Sequence, residues 1–350
     1  RQGGDKLVTI YVTSLIGAEG KTALCPGLGK KWQKAGKKVG YFKPVSVKST
    51  QQPASTDADT AFAKQVLGLA EPIEKLSPLF LTAQYIAGIS KKSAPDQKLT
   101  KACSDVAAGK DILLLEGLSG SPEASANIAR WLGAKVVLVA HHKADLSTEL
   151  PKAAKAFGQT LAGVIINAVP QGKLGQVTST LAPLLGKAGA KVLGVLPQER
   201  SLVGVTVEEL SGPLQASILK SQDGIGEVVE NIMGGAIFLD SGPLYFERKA
   251  NKAVVIRIDR PDVQLGALET SVRCLILTNA EGEPNPYVYY KAMDKGVPIL
   301  STKMDTASAL AAIESTINSA RFRQEKKLEP LATLLDRNVD FAVLNKAFGI

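Results

Sequence analysis

The sequence predicts an α/β protein in two parts: a parallel sheet flanked by helices over residues 1–200, followed by a smaller α/β domain. Three observations predict it. From Leu7 to Val195, short apolar runs alternate with longer amphipathic stretches, the pattern of parallel strands joined by crossover helices. Nearly every residue within those runs is apolar, as in strands buried on both faces. After Pro197-Gln198-Glu199-Arg200 the rhythm changes, which sets a domain boundary near residue 200.

In chain order, the first part reads as strands at 7–12, 38–42, 112–115, 135–139, 163–166 and 192–195. The second part, 201–320, opens with helical stretches near 207–220 and 224–233 and continues with strands at 253–256 and 273–277. Pro284-Asn285-Pro286 marks a turn, 287–296 a helix, 297–300 a strand and 306–319 another helix. Residues 321–350 carry the charged stretch Arg321-Phe322-Arg323-Gln324-Glu325-Lys326-Lys327 and read as a C-terminal tail that packs on a neighbour or frays.

Length and composition bound the function. At 350 residues the chain exceeds one hydrophobic core, so two domains are expected. A hydrophobic share of 45% and a charged share of 21% argue against disorder and against a membrane protein. The formal charge of +9 favours an anionic partner without choosing among them. Aromatic residues are only 5%, which leaves no stacking platform for single-stranded nucleic acid, so no nucleic-acid partner is expected. The basic run Lys30, Lys31, Lys34, Lys37 and Lys38 is spaced around a helix and the turn after it, which makes it a solvated face rather than a patch. Cys25, Cys103 and Cys274 are too scattered for a zinc site or a disulfide framework. With no apolar run of about 18 residues and a start unlike a signal peptide, a cytoplasmic protein is expected; because the sequence begins without Met, further residues are expected before Arg1.

The chemistry gathers at strand ends. Directly after the first strand comes Ser14-Leu15-Ile16-Gly17-Ala18-Glu19-Gly20-Lys21-Thr22-Ala23-Leu24, in which Gly-Lys-Thr opens a helix. There, backbone N–H groups cradle a phosphate, Lys21 reaches the β and γ phosphates, and the Thr22 hydroxyl ligates Mg²⁺. The common pattern has Gly six residues before the Lys, where this chain has Leu15. Pro26 falls in the second turn of the helix and removes a donor, with Gly27 and Gly29 adding flexibility. The second strand ends in Tyr41-Phe42-Lys43-Pro44-Val45, so Lys43 is either a second phosphate-facing lysine or a surface lysine at a strand end. Asp57 and Asp59 precede a helix, where either caps it or faces a metal. Leu113-Leu114-Leu115-Glu116-Gly117 is an apolar strand ending in an acid, the usual second motif that holds Mg²⁺ beside a phosphate loop. His141 and His142 lie on the same sheet edge without a nucleophile-elbow pattern and read as loop residues.

Together, Thr13-Ser14, Gly20-Lys21-Thr22, Lys43-Pro44-Val45, Asp57-Ala58-Asp59 and Leu115-Glu116-Gly117, continued by Ile165-Ile166-Asn167 and Leu196-Pro197, resemble the dethiobiotin-synthetase-like N-terminal domain of long phosphotransacetylases. The resemblance covers residues 5–200 and implies a P-loop NTPase-type sheet binding ATP and Mg²⁺. It assigns Lys21 and Lys43 as catalytic residues and Thr22, Asp59 and Glu116 as the metal site. The loop residues Ala18, Glu19, Gly20, Lys21, Thr22 and Ala23 would hold phosphate, and Asn167 and Pro197 the adenine side. Residues 202–318 resemble a DRTGG domain, a small regulatory α/β module, although Ile258-Asp259-Arg260-Pro261-Asp262 keeps only the Asp-Arg of its signature. There is no room for a transacetylase domain, so acetyl transfer is not expected.

Three functions follow as alternatives. One is a regulatory or sensory protein that binds ATP with Mg²⁺ and couples it to a small-molecule effector at the second domain. Another is an ATP-dependent ligase acting on a carboxylate or carbamate. The third is a non-catalytic assembly scaffold. A homodimer is implied by the resemblance alone.

Overall fold

The computed structural model describes residues 7–17, 19–47, 57–91, 94–143, 145–219, 224–235 and 242–350. The chain divides into two compact units, one formed by Arg1–Gln198 together with Phe322–Ile350, the other by Glu199–Arg321. The second unit is therefore an insertion into the first, whose last residues return after it.

The first unit is built on six parallel strands: β1 (Val8–Ser14), β2 (Val39–Phe42), β3 (Ile112–Ser119), β4 (Lys135–His141), β5 (Leu161–Val169) and β6 (Val192–Pro197). Their spatial order is β2-β3-β1-β4-β5-β6, and every pairing is parallel. All six expected strands form. The alternating apolar runs are buried on both sides, with Ile10, Tyr11 and Val12 of β1 and Leu113, Leu114 and Leu115 of β3 fully enclosed. β3 runs four residues beyond its expected end, to Ser119, so Glu116 lies inside the strand, opposite Val12, rather than after it. Because the chain winds away from β1 in both directions, the loop after β1 opens at the crevice where ligands of such sheets bind.

That loop leads into helix α1 (Lys21–Lys34), which runs unbroken through Pro26. Gly27 and Gly29 serve packing rather than flexibility. A Cβ at Gly27 would stand 2.8 Å from Leu331 Cδ2, and one at Gly29 would stand 2.7 Å from Leu67 Cδ2 and 3.1 Å from Leu114 Cδ1. The two glycines let α1 lie close against the sheet, against helix α2 (Ala58–Leu67) and against a helix from the other end of the chain.

The residues read as a tail form that other layer. Leu328–Asn338 and Phe341–Phe348 are helices whose apolar residues Leu331, Leu335, Leu344 and Phe348 are buried. Val339 bridges to Gly194 of β6, and the Asp340 N–H donates to the Leu193 carbonyl at 3.0 Å. Trp32 Nε1 donates to Asn345 Oδ1 at 3.1 Å, Lys135 Nζ donates to the Ala347 carbonyl at 2.7 Å, and Lys31, paired with Asp336, sits over the Phe341 ring. The apolar spacing of these helices matches a buried face, which is why the segment docks instead of fraying.

In the second unit, β7 (Ser217–Leu219), β8 (Asn231–Gly234), β9 (Lys252–Arg257), β10 (Val272–Thr278) and β11 (Ile299–Ser301) form a sheet of order β7-β11-β10-β9-β8. Only β7, on the edge, is antiparallel to its neighbour. Side chains alternate along β9: Val254 and Ile256 join one core with the helices Pro261–Leu268 and Pro286–Asp294, while Ala253 and Val255 join the other with Thr306–Ser319. The long helices expected at 207–220 and 224–233 do not form. The first is one short helix, Val207–Ser211, opened by a capping box between Thr206 and Glu209 and followed by Gly212-Pro213, which cannot continue it. Beyond it, Val228, Val229 and Ile232 lie in strands, where β-branched side chains fit a half-buried sheet.

Candidate functional site

The carboxyl ends of β1, β2, β3 and β5 converge on the loop before α1. Gly20 sits at φ +102°, a conformation L residues rarely adopt, and a Cβ there would meet Asn167 Nδ2 at 2.5 Å. Asn167, at the end of β5, in turn donates from Nδ2 to the Glu19 carbonyl at 3.0 Å and accepts the Ala168 N–H at 2.9 Å. Through the bond to Glu19 the Asn167 amide, which the resemblance assigns to the adenine side, holds the backbone of the loop before α1. Glu19 is folded inward. Its Oε2 accepts the Ile16 N–H at 3.2 Å, its Oε1 is buried with no hydrogen-bond partner among the described residues, and burial raises its pKa above the usual glutamate value. The part of Glu19 that can face an anion is therefore its backbone. Ala18 lies outside the described residues. Ala23 starts the helical ladder, its N–H 3.1 Å from the Gly20 carbonyl, and Pro197 closes β6, paired with Val169 at the same edge.

Lys21 is buried at the first helical position, and its ammonium donates to Ser14 Oγ at 2.9 Å and to Ser119 Oγ. The two serines end β1 and β3, so the strands themselves aim the lysine across the mouth of the loop. Burial lowers the Lys21 pKa, and Glu116 opposes that shift. Thr22, one residue on, donates from Oγ1 to Glu116 Oε1 at 3.1 Å. The other Glu116 oxygen accepts the Tyr41 hydroxyl at 2.8 Å. Burial and this carboxylate push the tyrosine well above its ordinary pKa, so it stays a donor. Gly117 next to Glu116 is a packing requirement, since a Cβ there would stand 2.4 Å from the Tyr11 ring.

Lys43 lies 3.6 Å from Glu116 Oε1, the same oxygen that accepts from Thr22. It also contacts Asp57, with Oδ1 at 3.0 Å and Oδ2 at 2.8 Å, and Asp59 Oδ2 at 3.2 Å. Burial would lower its pKa, but Glu116, Asp59 and Asp57 more than offset that and hold the ammonium above the usual lysine value. Lys43 is thus an interior charge of the site, not a surface lysine. Asp57 caps α2, accepting the Thr60 N–H at 2.9 Å, and also takes the Ser46 hydroxyl at 2.6 Å. Asp59 instead bridges Lys43 and Arg323, whose Nε and Nη2 lie 3.0 and 2.9 Å from Oδ1.

The structure brings Lys21, Thr22, Lys43, Asp59 and Glu116 together. Residues that the sequence reading passed over are Ser119, Tyr41 as the hydroxyl on Glu116, and Arg323. Ser119 could have been found, being a hydroxyl just past an acid in an apolar strand. Arg323 carries no local signal, because only the return of the chain to the first unit places it. His141 closes β4, and the His142 N–H donates to the Asn167 carbonyl at 2.8 Å. Cys25, Cys103 and Cys274 are free and buried. Among the described residues, no group of three or more His, Cys, Asp or Glu side chains is arranged to hold a metal, and no helix is long and apolar enough to cross a membrane.

A family model described as an AAA domain, AAA_26, matches residues 8–206, more than half of the chain and all of the site except Arg323. The chain belongs to this family. It is an AAA_26 protein with a dethiobiotin-synthetase-like P-loop domain, and a DRTGG domain model matches residues 209–316. Phosphate acetyltransferase of Nitrosomonas europaea is 22% identical over 97% of this chain and 52% of that enzyme, so the chain spans about half the length of the curated relatives it matches. The homology is to their N-terminal part. The ATP-dependent dethiobiotin synthetase of Methanococcus vannielii is 30% identical over 32% of this chain and 51% of that protein. Among solved structures, the MinD cell division protein of Aquifex aeolicus matches with a TM-score of 0.36 and 16% identity, covering 56% of this chain and 84% of that one.

Proposed function

We propose that this AAA_26–DRTGG protein binds ATP with Mg²⁺ in its first unit and uses that binding to regulate or sense, with a small-molecule effector at the DRTGG domain. The observation that carries the reading is the contact of Thr22 Oγ1 with Glu116 Oε1, 3.1 Å apart at the start of α1. Two neighbouring ligands of an octahedral Mg²⁺, each at about 2.0–2.1 Å, stand about 3 Å apart, so these oxygens fit the ion's geometry as they are. Phosphate oxygens and water would complete the shell. When bound, the ion would neutralise the β and γ phosphates.

The chain's own residues do the rest. Backbone N–H groups of the loop and the α1 N-terminus face the phosphates, and Lys21 exchanges its two serine hydroxyls for phosphate oxygens. Lys43 approaches the same charge from β2. In an ATP-dependent ligase Lys43 would instead face the phosphoryl group in transfer. Its engagement by three carboxylates favours binding over transfer. Calorimetric titration of the full chain with ATP, with and without Mg²⁺, tests the reading: binding strengthened by Mg²⁺ supports it, and no ATP binding in either condition overturns it. A product assay with a carboxylate acceptor separates regulation from ligation.

A further inference from the structure

Arg323 is the second residue after the chain re-enters the first unit, and its surroundings are built. The Phe322 ring packs edge-on against Phe62 with centroids 5.9 Å apart, and Gln65 Nε2 donates to Glu325 Oε1 at 2.9 Å. Both partners lie on α2, as does Asp59 in its first turn. Residues 322–325 thus lie along α2 and deliver the Arg323 guanidinium to Asp59 through two N–H groups.

We propose that Arg323 is a positioning residue of the phosphate site, acting through Asp59 to keep the charge of Lys43 available to an incoming polyphosphate. The inference rests on the nucleotide reading above. Its basis is a charge count. Lys21, Lys43 and Arg323 face Glu116, Asp57 and Asp59, three cations against three carboxylates, with Glu19 a further carboxylate that acts on Lys21 and is itself offset by Lys143. Remove Arg323 and the site carries an excess negative charge, with Asp59 left to Lys43 alone. A triphosphate would then compete with an unrelieved carboxylate for the same ammonium. Asp59 and Arg323 are partly exposed, with side chains 22% and 38% accessible, so solvent softens the effect without removing it.

The test is a double-mutant cycle on the full chain, read as ATP affinity by calorimetry with and without Mg²⁺. Arg323→Ala is expected to weaken ATP binding roughly tenfold, as for loss of a charged hydrogen-bonded contact. Arg323→Lys, which keeps the charge but not the paired donors, should fall between. In an Asp59→Asn background, Arg323→Ala should change affinity by less than about threefold, because the charge it relieves is gone. Gln65→Ala loosens the same segment without touching the charge cluster and should leave affinity unchanged. Unchanged affinity in Arg323→Ala, or the same tenfold loss with and without Asp59, overturns the inference. So does an equal loss in Gln65→Ala, which would assign the effect to packing. If the unsubstituted chain does not bind ATP, the nucleotide reading fails first; if it binds and Arg323→Ala binds equally well, only this inference fails.

Discussion

Thr22 Oγ1 donates to Glu116 Oε1 across 3.1 Å, although 94 residues separate them in sequence. Parallel pairing of β1 and β3 sets the distance, because the register that puts Val12 opposite Glu116 brings the carboxylate level with the start of α1. Glu116→Gln keeps the shape and removes the charge. Mg²⁺-dependent ATP binding should drop by about tenfold or more, while metal-free binding changes little, since a charged contact is worth about 1.5–3 kcal/mol. Equal loss in both conditions would make Glu116 a structural residue held by Tyr41.

A second expectation concerns the returning helices. A Cβ at Gly194 would stand 2.7 Å from the Asn338 carbonyl oxygen, which belongs to backbone and cannot step aside as a side chain does. Gly194→Ala should destabilise the first unit by about 1–3 kcal/mol, the usual cost of overpacking. The local readout is Trp32, whose indole is tied to Asn345: in a Trp131→Phe background its emission should shift to the red. An unchanged spectrum and an unchanged urea midpoint would show that β6 and the last helices are not packed as described.

Much of this was legible in the sequence, and the limits have physical reasons. Strands buried on both faces declare themselves as apolar runs, so all six strands of the first sheet were readable. Gly-Lys-Thr and Lys43 were readable because each follows a strand whose edge the parallel topology fixes, and Glu116 because an acid interrupts the apolar run of β3. The strands around Val228 and Ile232 were missed because short edge strands mix polar residues at spacings a helix also accepts. Residues 322–350 read as a charged stretch and a tail, with no sign of where it would dock, since docking on α1 depends on Gly27, some 300 residues earlier.

Glu19 supplies a pH test. Burial, with Oε1 lacking a partner among the described residues, raises its folded-state pKa above the ordinary 4.5. A carboxyl with a raised folded pKa favours the protonated form, so its contribution to stability is fully present below its unfolded pKa and is lost as pH rises through the folded value. Glu19→Gln mimics that neutral form. The variant should melt higher than the unsubstituted chain at pH 7, and the gap should close as pH falls below about 4.5. A variant that melts lower at pH 7 would mean that the carboxylate is paired and stabilising.

Regulation requires that the two units be coupled. The chain passes into the second unit after Gln198, one residue beyond Pro197, and returns at Phe322, one residue before Arg323. Because residues 322–350 complete the first unit, truncation after residue 201 would unmake the site, and the informative deletion removes 199–321 with a flexible Gly/Ser linker in their place. Coupling of about 1–3 kcal/mol, typical between linked sites, would change ATP affinity by roughly 5- to 150-fold. Identical affinity in a folded deletion variant would leave the second unit as an assembly module.

The most direct test of the nucleotide site is the comparison of the unsubstituted chain with Lys21→Ala under the same magnesium and salt. Lys21 is the one lysine within the loop, held by Ser14 and Ser119 where phosphate would lie. Its loss should weaken binding of ATP with Mg²⁺ by more than about 1.5 kcal/mol, the lower end for a charged contact, with the melting temperature nearly unchanged. Equal affinity in the two proteins would contradict the account, because the phosphates would then be held somewhere other than the loop before α1.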